Sequence, residues 1–358
     1  MCKMKSSNNR LSPWVLLIAI FNVFFHLAFY NNLGFHRDEL LYFSLGQHLS
    51  AGYASVPPFT GFVAWLMIHI AGYTLLSARI IPIMLSAVLI ILGAAITREL
   101  KGKLYAQILV SLALLITPFN LRGFSLFQPV CFDITFWSLI FWLTLRWINT
   151  KSDKYLLLLG LAAGFGLLNK YLIALEIVAI LFAFVISPYR SLFSRSTFYI
   201  AILIAFVVFL PNLIWQVKNQ FPVLVHMQAL NDTQLVHVNR LSFFTDQLFM
   251  GSVAIFLFIP GIIFMGFGRS LKPYRPLIAA SFIVLFGLAF LRGKSYYTLG
   301  LFPLWIAAGG VFWENILKRT FAKILLPVLM LLLSIPIIPM GVPVYKADKL
   351  AAYFNGAK

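Results

Sequence analysis

Two adjacent carboxylates, Asp38 and Glu39, follow the first long apolar run of the chain and stand next to Arg37. A carboxylate at the rim of a membrane protein can accept the proton of an attacking hydroxyl group, while its neighbour orients a substrate or holds a cation. The simpler interpretation is that the pair opens a helix, because acidic residues favour the positive end of the helix dipole. The dipeptide alone leaves both interpretations open.

Four basic residues fall in turns between predicted apolar helices, namely Arg122, Lys170, Arg292 and Lys294. Preorganised cations stabilise the negative charge that develops on a phosphate leaving group. The alternative is that these side chains reach towards lipid headgroups. Lys170 and Lys294 stand out because each occupies a tight turn with tyrosines beside it, which are Tyr171, Tyr296 and Tyr297.

A further carboxylate, Asp133, lies near the start of the fourth long apolar segment, shortly after Gln128. It is predicted to be a partner for a base or a hydroxyl group, or else a polar anchor. Glu176 lies deeper in an apolar segment, and we expect it to pair with another side chain. Four histidines could bind a divalent cation together with Asp38 or Glu39, and this alternative stays open: His36, His48, His226 and His237. Their spacing does not match an established metal motif. We predict no metal site and no required cofactor.

The composition places these residues in a membrane. The chain has 358 residues, of which 61% are hydrophobic and 11% charged, and its mean hydropathy is +0.92. A chain this apolar is predicted to be an all-α polytopic membrane protein, because each helix satisfies its own backbone polar groups in lipid. The net charge of +18 comes from short clusters between apolar runs, which favours cytoplasmic loops over nucleic-acid binding. Cys2 and Cys131 are predicted to lie on opposite sides of the membrane and therefore not to form a disulfide bond.

The hydropathy pattern predicts about 11 transmembrane helices. They occupy the range 14–339 of the sequence, as 14–30, 77–97, 104–119, 129–148, 155–169, 171–187, 198–215, 246–266, 277–291, 296–313 and 324–339. Basic clusters place a short N-terminus, 1–13, in the cytoplasm, where it carries Lys3, Lys5 and Arg10. Two large outer loops, 31–76 and 216–245, and a short outer tail, 340–358, follow from this topology.

The first outer loop is expected to contain juxtamembrane helices. Leu41, Leu45 and Leu49 recur at helical spacing, which is typical of an amphipathic helix on a membrane surface. Pro57 and Pro58 then break the chain and begin a second, short apolar helix over 58–71.

Several motifs in one order resemble a known family. They are GFHRDELLYF (34–43), GYASVPPF (52–59), ARIIP (78–82), FQPVCFDITFW (127–137), GLAAGFGLLNKY (160–171), PNLIWQ (211–216) and GKSYYTL (293–299). Over residues 14–312 the chain resembles bacterial integral-membrane glycosyltransferases of the GT-C fold. These are relatives of the dolichyl-phosphate-mannose–protein mannosyltransferases and of the lipid A aminoarabinose transferase.

The resemblance implies roles for individual residues. Asp38 would be the catalytic carboxylate, Glu39 and Asp133 would line the same pocket, and Lys170 and Lys294 would face the phosphate of the donor. The donor would be a polyprenyl-phosphate sugar, attacked at its anomeric carbon with inversion, on the periplasmic side of a bacterial inner membrane. Further substrate contacts are expected from Arg37, Tyr53, Pro58, Arg122, Gln128, Tyr171, Tyr296 and Tyr297.

The chain also departs from the family pattern. Ser55 and Val56 stand where relatives often carry an acidic residue, a histidine or a lysine, so a metal- or phosphate-binding role is not expected of this turn. Little chain follows the last predicted helix, and the loops 31–76 and 216–245 are therefore expected to hold the acceptor, which is a lipid A or polysaccharide unit, another glycolipid or a protein hydroxyl.

Two other function classes remain as alternatives. A transporter or flippase of a lipid-linked sugar would need ionisable groups near the membrane midplane, whereas the charges here gather at the helix ends. A scaffolding membrane protein would leave the acidic pair and the basic turns unexplained.

Overall fold

The computed structural model describes residues 11–356, and no strand occurs among them. Lys3, Lys5, Arg10 and Cys2, for which a cytoplasmic location was predicted, lie outside the described residues. The helices are α1 Pro13–Phe29, α2 Arg37–Ser44, α3 Phe59–Ala71, α4 Leu75–Glu99, α5 Leu104–Ile116, α6 Pro118–Gly123, α7 Pro129–Thr150, α8 Lys154–Asn169, α9 Ile173–Val185, α10 Ser196–Lys218, α11 Pro222–Thr233, α12 Arg240–Gly251, α13 Ile255–Phe267, α14 Arg275–Phe290, α15 Phe302–Ile316, α16 Thr320–Ser334, α17 Ile338–Gly341 and α18 Ala347–Gly356.

Seven helical stretches in the described range are long and apolar enough to cross a membrane. Three of them form the centre of the bundle, since 67% of the most apolar window of α4 is buried, and 72% of the windows in α7 and in the stretch that ends with α15. Two lie at the rim, where only 17% of α10 and 11% of the stretch that begins with α16 are buried. Shorter apolar helices, including α1, α5, α8 and α9, complete the bundle.

Small residues let the helices approach closely. A Cβ added to Gly309 of α15 would lie 2.0 Å from the backbone oxygen of Leu257 in α13, and one added to Gly160 of α8 would lie 2.2 Å from that of Ala201 in α10. Close backbone approach compensates for the missing hydrophobic driving force between helices in lipid. The bundle is therefore held by shape complementarity along these seams.

The structure differs from the predicted helices at several places: the predicted helix 246–266 is divided between α12 and α13, and the predicted helix 296–313 is α-helical only from Phe302. The third predicted helix, 104–119, is divided at Thr117, whose backbone is extended (ψ 137°) because Pro118 follows it. The short helix α6 then leads to Arg122. The predicted loop 216–245 is mostly helical, because α10 continues to Lys218, α11 follows, and α12 begins at Arg240.

The segment after α1 folds back over one end of the bundle. His36 caps α2 through its side chain, and Glu39 completes the capping box by accepting the His36 backbone N–H at 2.9 Å. The helix ends at Ser44, so the predicted Leu41–Leu45–Leu49 stripe extends beyond it. Phe43 turns inward and packs edge-on against Phe127, 5.4 Å between ring centroids, just before α7.

Candidate active site

The end of the bundle that carries α2, α6 and the start of α7 encloses a cavity of about 920 Å³. We refer to this space as the α2–α7 cavity. Its polar wall is formed by the side chains of Asp38, Tyr42, Arg122, Gln128, Lys170, Tyr171, His226, Lys294, Tyr296 and Tyr297. The cavity thus collects the predicted acidic and basic residues from segments that are far apart in the chain.

A buried ion pair anchors α2 below the cavity. Arg79 of α4 donates from Nε to Glu39 Oε1 at 3.0 Å and from Nη2 to Oε2 at 2.7 Å, and both side chains are almost fully buried. The guanidinium also bonds the backbone carbonyls of Tyr30, Leu33 and Gly34. This bidentate pair ties the segment between α1 and α2 to α4.

Two backbone N–H groups also donate hydrogen bonds to the Glu39 carboxylate. Oε2 accepts from His36, and Oε1 accepts from Phe127 at 3.2 Å. Glu39 does not line the cavity, which differs from the expectation that it contacts substrate or a cation. Its position indicates that it holds α2 in place.

Asp38 lies one residue earlier on α2 and therefore points to a different face of the helix. Its side chain is 35% exposed, and its carboxylate accepts from Arg37 Nε at 3.2 Å and from Gln128 Nε2 at 3.1 Å. Tyr42 lies one turn later, and its pKa is raised by partial burial and by the negative charge of Asp38. The fold thus presents a solvent-accessible carboxylate whose orientation is set by an amide from the start of α7.

Lys170 also lines the cavity, from the turn between α8 and α9. Its ammonium lies 3.4 Å from Asp133 Oδ2 and 4.3 Å from the ring centroid of Tyr297. Asp133 is buried and also accepts from Trp137 Nε1 at 3.1 Å, so it stands behind the cavity wall as the partner of Lys170. The expectation that Asp133 is a partner for a base agrees with this ion pair, and its contact with substrate stays a prediction.

A buried polar network holds the same turn. Asn169 donates to the backbone carbonyl of Pro129 at 3.0 Å and accepts from Thr60 of α3 at 3.2 Å. The hydroxyl of Tyr171 donates to Asn212 at 2.7 Å and accepts from Gln216 at 2.9 Å. These bonds fix the turn that presents the Lys170 ammonium to the cavity.

Lys294 enters from the turn between α14 and α15. Its ammonium donates to the Gln234 side chain at 2.5 Å, and no acidic partner lies within ion-pair distance among the described residues. Partial burial and the nearby charge of Lys170 lower the pKa of Lys294, while Asp38 opposes that change. Two lysines therefore form one cationic pole, which we call the lysine pole.

Arg122 lines the same cavity from a different element, near the end of α6. The charges acting on its guanidinium are those of the Glu39–Arg79 pair and of Asp38. Within residues 11–356 its side chain has no ion pair and no hydrogen bond. Arg122 is therefore a second, unneutralised cation in the cavity wall.

The helix α11 supplies a wall that is apolar except for His226. Val223, His226, Met227 and Leu230 line the cavity, and their spacing places them on one face of the helix. None of the α11 side chains is buried, so this helix covers the cavity without joining the core. The helix lies within the range predicted as an acceptor-binding loop.

Eight of the thirteen predicted site residues line the cavity. The other five lie elsewhere: Glu39 and Asp133 are buried behind it, the Arg37 side chain is 90% exposed, Tyr53 donates to the Leu45 carbonyl at 3.0 Å, and Pro58 borders a separate apolar groove.

Sequence reasoning missed the positioning residues, which have no local signature. Arg79 appeared only inside a motif, and Asn169, Asn212 and Gln216 resemble ordinary helix residues until their partners are known. The expectation that Glu176 pairs is wrong, because both of its buried carboxylate oxygens lack a hydrogen-bond partner within the described range. Groups of three or more His, Cys, Asp and Glu suited to a metal ion are absent from the described residues. Cys131 is buried and free.

A family match covers part of the chain. Residues 55–215 match the family described as dolichyl-phosphate-mannose-protein mannosyltransferase. These residues form a domain of that family. The domain contains Arg122, Gln128, Asp133, Lys170 and Tyr171, while Asp38 lies before it and Lys294 after it. The predicted family resemblance is confirmed.

Two curated relatives come from Rhizobium johnstonii. The lipopolysaccharide core galacturonosyltransferase RgtA is 27% identical over 210 residues, which are 57% of this chain and 42% of the relative. RgtB, of the same description, is 26% identical over 283 residues, which are 75% of this chain and 56% of the relative. The chain thus spans about half the length of the curated relatives it matches.

Solved structures share the fold. ArnT from Cupriavidus metallidurans bound to undecaprenyl phosphate has a TM-score of 0.71 at 16% identity, over 95% of this chain and 68% of its own. The archaeal oligosaccharyltransferase AglB from Archaeoglobus fulgidus, in complex with an inhibitory peptide and a dolichol-phosphate, has a TM-score of 0.59 at 14% identity, over 93% and 56%. The predicted helical GT-C fold is confirmed, and the number of membrane crossings stays a prediction.

Proposed function

We propose that the protein is a membrane glycosyltransferase that moves a sugar from a polyprenyl-phosphate donor to a hydroxyl group. The observation that carries this proposal is the pairing, within one cavity, of the accessible Asp38 carboxylate with the lysine pole. A hydroxyl acceptor needs a base, and a phosphate leaving group needs cations. The family domain and the lipid phosphates bound to the structural relatives support the same chemistry.

In this proposal Asp38 is the general base. The acceptor hydroxyl gives its proton to the Asp38 carboxylate while its oxygen attacks the anomeric carbon of the donor. The bond between that carbon and the phosphate oxygen breaks with inversion, and the products are the glycoside and the polyprenyl phosphate. Gln128 holds one carboxylate oxygen at 3.1 Å, so the base is oriented before the substrate enters.

The lysine pole stabilises the leaving group. The donor is a phosphodiester, and its phosphate gains negative charge as the glycosidic bond breaks. Lys170 is held by Asp133 and Tyr297, and Lys294 is held by Gln234, so both cations are positioned in advance. Cations that need no rearrangement are most effective in a cavity with little water.

The cavity would face the outside of a bacterial inner membrane. The opposite ends of the central helices carry Arg98, Arg146, Lys151 and Lys154, and Arg146 bonds Glu99 at 3.0 Å there. Basic residues concentrate on the cytoplasmic side of membrane proteins, which supports a periplasmic cavity. The acceptor would be a lipid, glycan or protein hydroxyl, and the activity in the names of the curated relatives favours a lipopolysaccharide-like glycolipid.

The test is a transfer assay with the full chain in proteoliposomes and a panel of polyprenyl-phosphate sugars. Asp38→Asn is expected to lower kcat by about 10²- to 10⁴-fold, because a general base contributes about that much. Donor affinity, measured by tryptophan fluorescence, should stay near that of the unmodified protein, because the asparagine side chain still accepts from Gln128. Asp232→Asn is the matched control, since this acid is exposed on α11 and does not line the cavity.

Two outcomes would contradict the proposal. Near-normal turnover by Asp38→Asn would remove the base from the mechanism. If the unmodified protein forms no glycoside but moves intact lipid-linked sugar across the vesicle membrane, the transporter alternative replaces the transferase.

A further inference from the structure

The cavity has two cationic poles, and the proposed reaction needs one for the phosphate. The lysine pole consists of Lys170 and Lys294, whose charges influence each other. Arg122 forms the other pole, and its electrostatic neighbours are Asp38 and the buried Glu39–Arg79 pair. Asp38 thus lies in the electrostatic range of both poles. In the proposed reaction the attacking hydroxyl lies at Asp38 and the leaving phosphate at the lysine pole. Another functional group of the donor or acceptor would then lie near Arg122.

Arg122 is available to a ligand because its side chain has no ion pair and no hydrogen bond among the described residues, and it lines the cavity. The Glu39 carboxylate is fully used by Arg79 and two backbone N–H groups. Asp38 accepts from Arg37 and Gln128 and has no ion pair with Arg122. A guanidinium in a cavity wall offers a planar fork of donors that fits a carboxylate with two parallel hydrogen bonds.

The support under Arg122 is rigid. Asn120 donates from its side chain to the Leu114 carbonyl at 2.6 Å and is fully buried, which ties α6 to α5. Gly341 of α17 packs against Leu121 so closely that an added Cβ would lie 2.4 Å from the Leu121 Cβ. Phe119 packs on Phe302 at 5.4 Å between ring centroids. These three contacts fix the position of α6, so the Arg122 backbone is held in place at the cavity wall.

We propose that Arg122 is a specificity residue that binds the carboxylate of an acidic sugar, carried by the donor or by the acceptor. This proposal rests on the proposed glycosyl transfer, because it places the sugar between the lysine pole and Asp38. The phosphate of the donor is assigned to the lysine pole, so the chemistry left for Arg122 is a second anion within reach of the attacking hydroxyl. A uronic acid or another acidic sugar has that anion on the pyranose ring.

The experiment compares substrates that differ only at the carboxyl group. The donors are polyprenyl-phosphate galacturonic acid and its neutral carboxamide, and the acceptors are a lipopolysaccharide core fragment and its carboxyl-reduced form. Unmodified protein, Arg122→Gln and Arg122→Lys are measured in proteoliposomes for kcat and KM, and for donor and acceptor affinity at equilibrium. Arg240→Gln is the matched control, since this arginine is exposed and does not line the cavity.

The unmodified protein is expected to prefer the charged member of one series by about 10- to 100-fold, since a hydrogen-bonded charged group is worth that much. Arg122→Gln should abolish this preference by weakening the charged substrate alone, and Arg122→Lys should restore part of it. Loss of preference in the donor series assigns the carboxylate to the donor sugar, and loss in the acceptor series assigns it to the acceptor.

The contradicting results separate the two proposals. If Arg122→Gln weakens charged and neutral substrates equally, or if neither series shows a preference, the role of Arg122 is overturned. If no sugar is transferred at all, the proposed transferase function fails. The equilibrium affinities still decide whether Arg122 recognises a carboxylate in that case.

Discussion

Breaking the buried ion pair between Arg79 and Glu39 should destabilise the protein more than any surface charge change. Arg79→Met removes both hydrogen bonds to Glu39 and leaves the carbonyls of Tyr30, Leu33 and Gly34 without their donor. The Glu39 carboxylate keeps only two backbone N–H partners while it stays buried. Removing one partner of a buried pair costs about 3–5 kcal/mol, because the other charge is left uncompensated.

The assay is unfolding of the reconstituted protein by denaturing detergent, followed by circular dichroism. We expect Arg79→Met and Glu39→Gln each to lower the free energy of unfolding by about 3–5 kcal/mol. The double variant should cost less than the sum of the two, because both changes remove the same interaction. Arg195→Met is the control: it breaks a 2.7 Å ion pair with Asp153 whose side chains are 37% and 44% exposed, and exposed pairs contribute about 0–1 kcal/mol.

The same variants separate positioning from substrate binding. If Glu39 holds α2, its loss displaces Asp38, so kcat should fall while the lysine pole still binds the donor. A cost for Arg79→Met no larger than that for Arg195→Met would refute the stability argument. A change in donor affinity with unaltered stability would instead return Glu39 to the substrate-binding role that the sequence suggested.

Two further predictions concern the lysine pole and the helix seams. The pKa of Lys294 is lowered, so its ammonium loses its proton, and the affinity for polyprenyl phosphate should fall, at a lower pH than for a free lysine. Lys294→Arg should move this loss of affinity to higher pH, because arginine stays charged. An unchanged pH profile in that variant would exclude Lys294 from the phosphate site. Gly309→Val should lower the free energy of unfolding by about 1–3 kcal/mol or more, since its Cβ would lie 2.0 Å from the Leu257 carbonyl oxygen. Gly287→Val is the control and should cost much less, because a Cβ there has no neighbour within 4 Å. Equal losses of stability in the two variants would contradict the packing account.

Local chemistry explains how much of the fold could be predicted. Long apolar runs became helices close to the predicted bounds, for example α7 at Pro129–Thr150 against a predicted 129–148. In lipid a chain has few ways other than a helix to satisfy its backbone hydrogen-bonding groups, so the hydropathy pattern alone predicts these helices. The break at Thr117 and the helical structure of 216–245 were missed because short helices at a membrane surface depend on contacts with the bundle.

The candidate site divides in the same way. Residue types and motif order predicted that Asp38, Lys170 and Lys294 share one site, and all three line the cavity. Their chemical roles stay predictions. Only the tertiary structure decided that Glu39 faces Arg79 instead of the cavity, since the two are 40 positions apart in the chain. Adjacent residues on a helix point to different faces, and which face meets the cavity depends on long-range packing that no local pattern records.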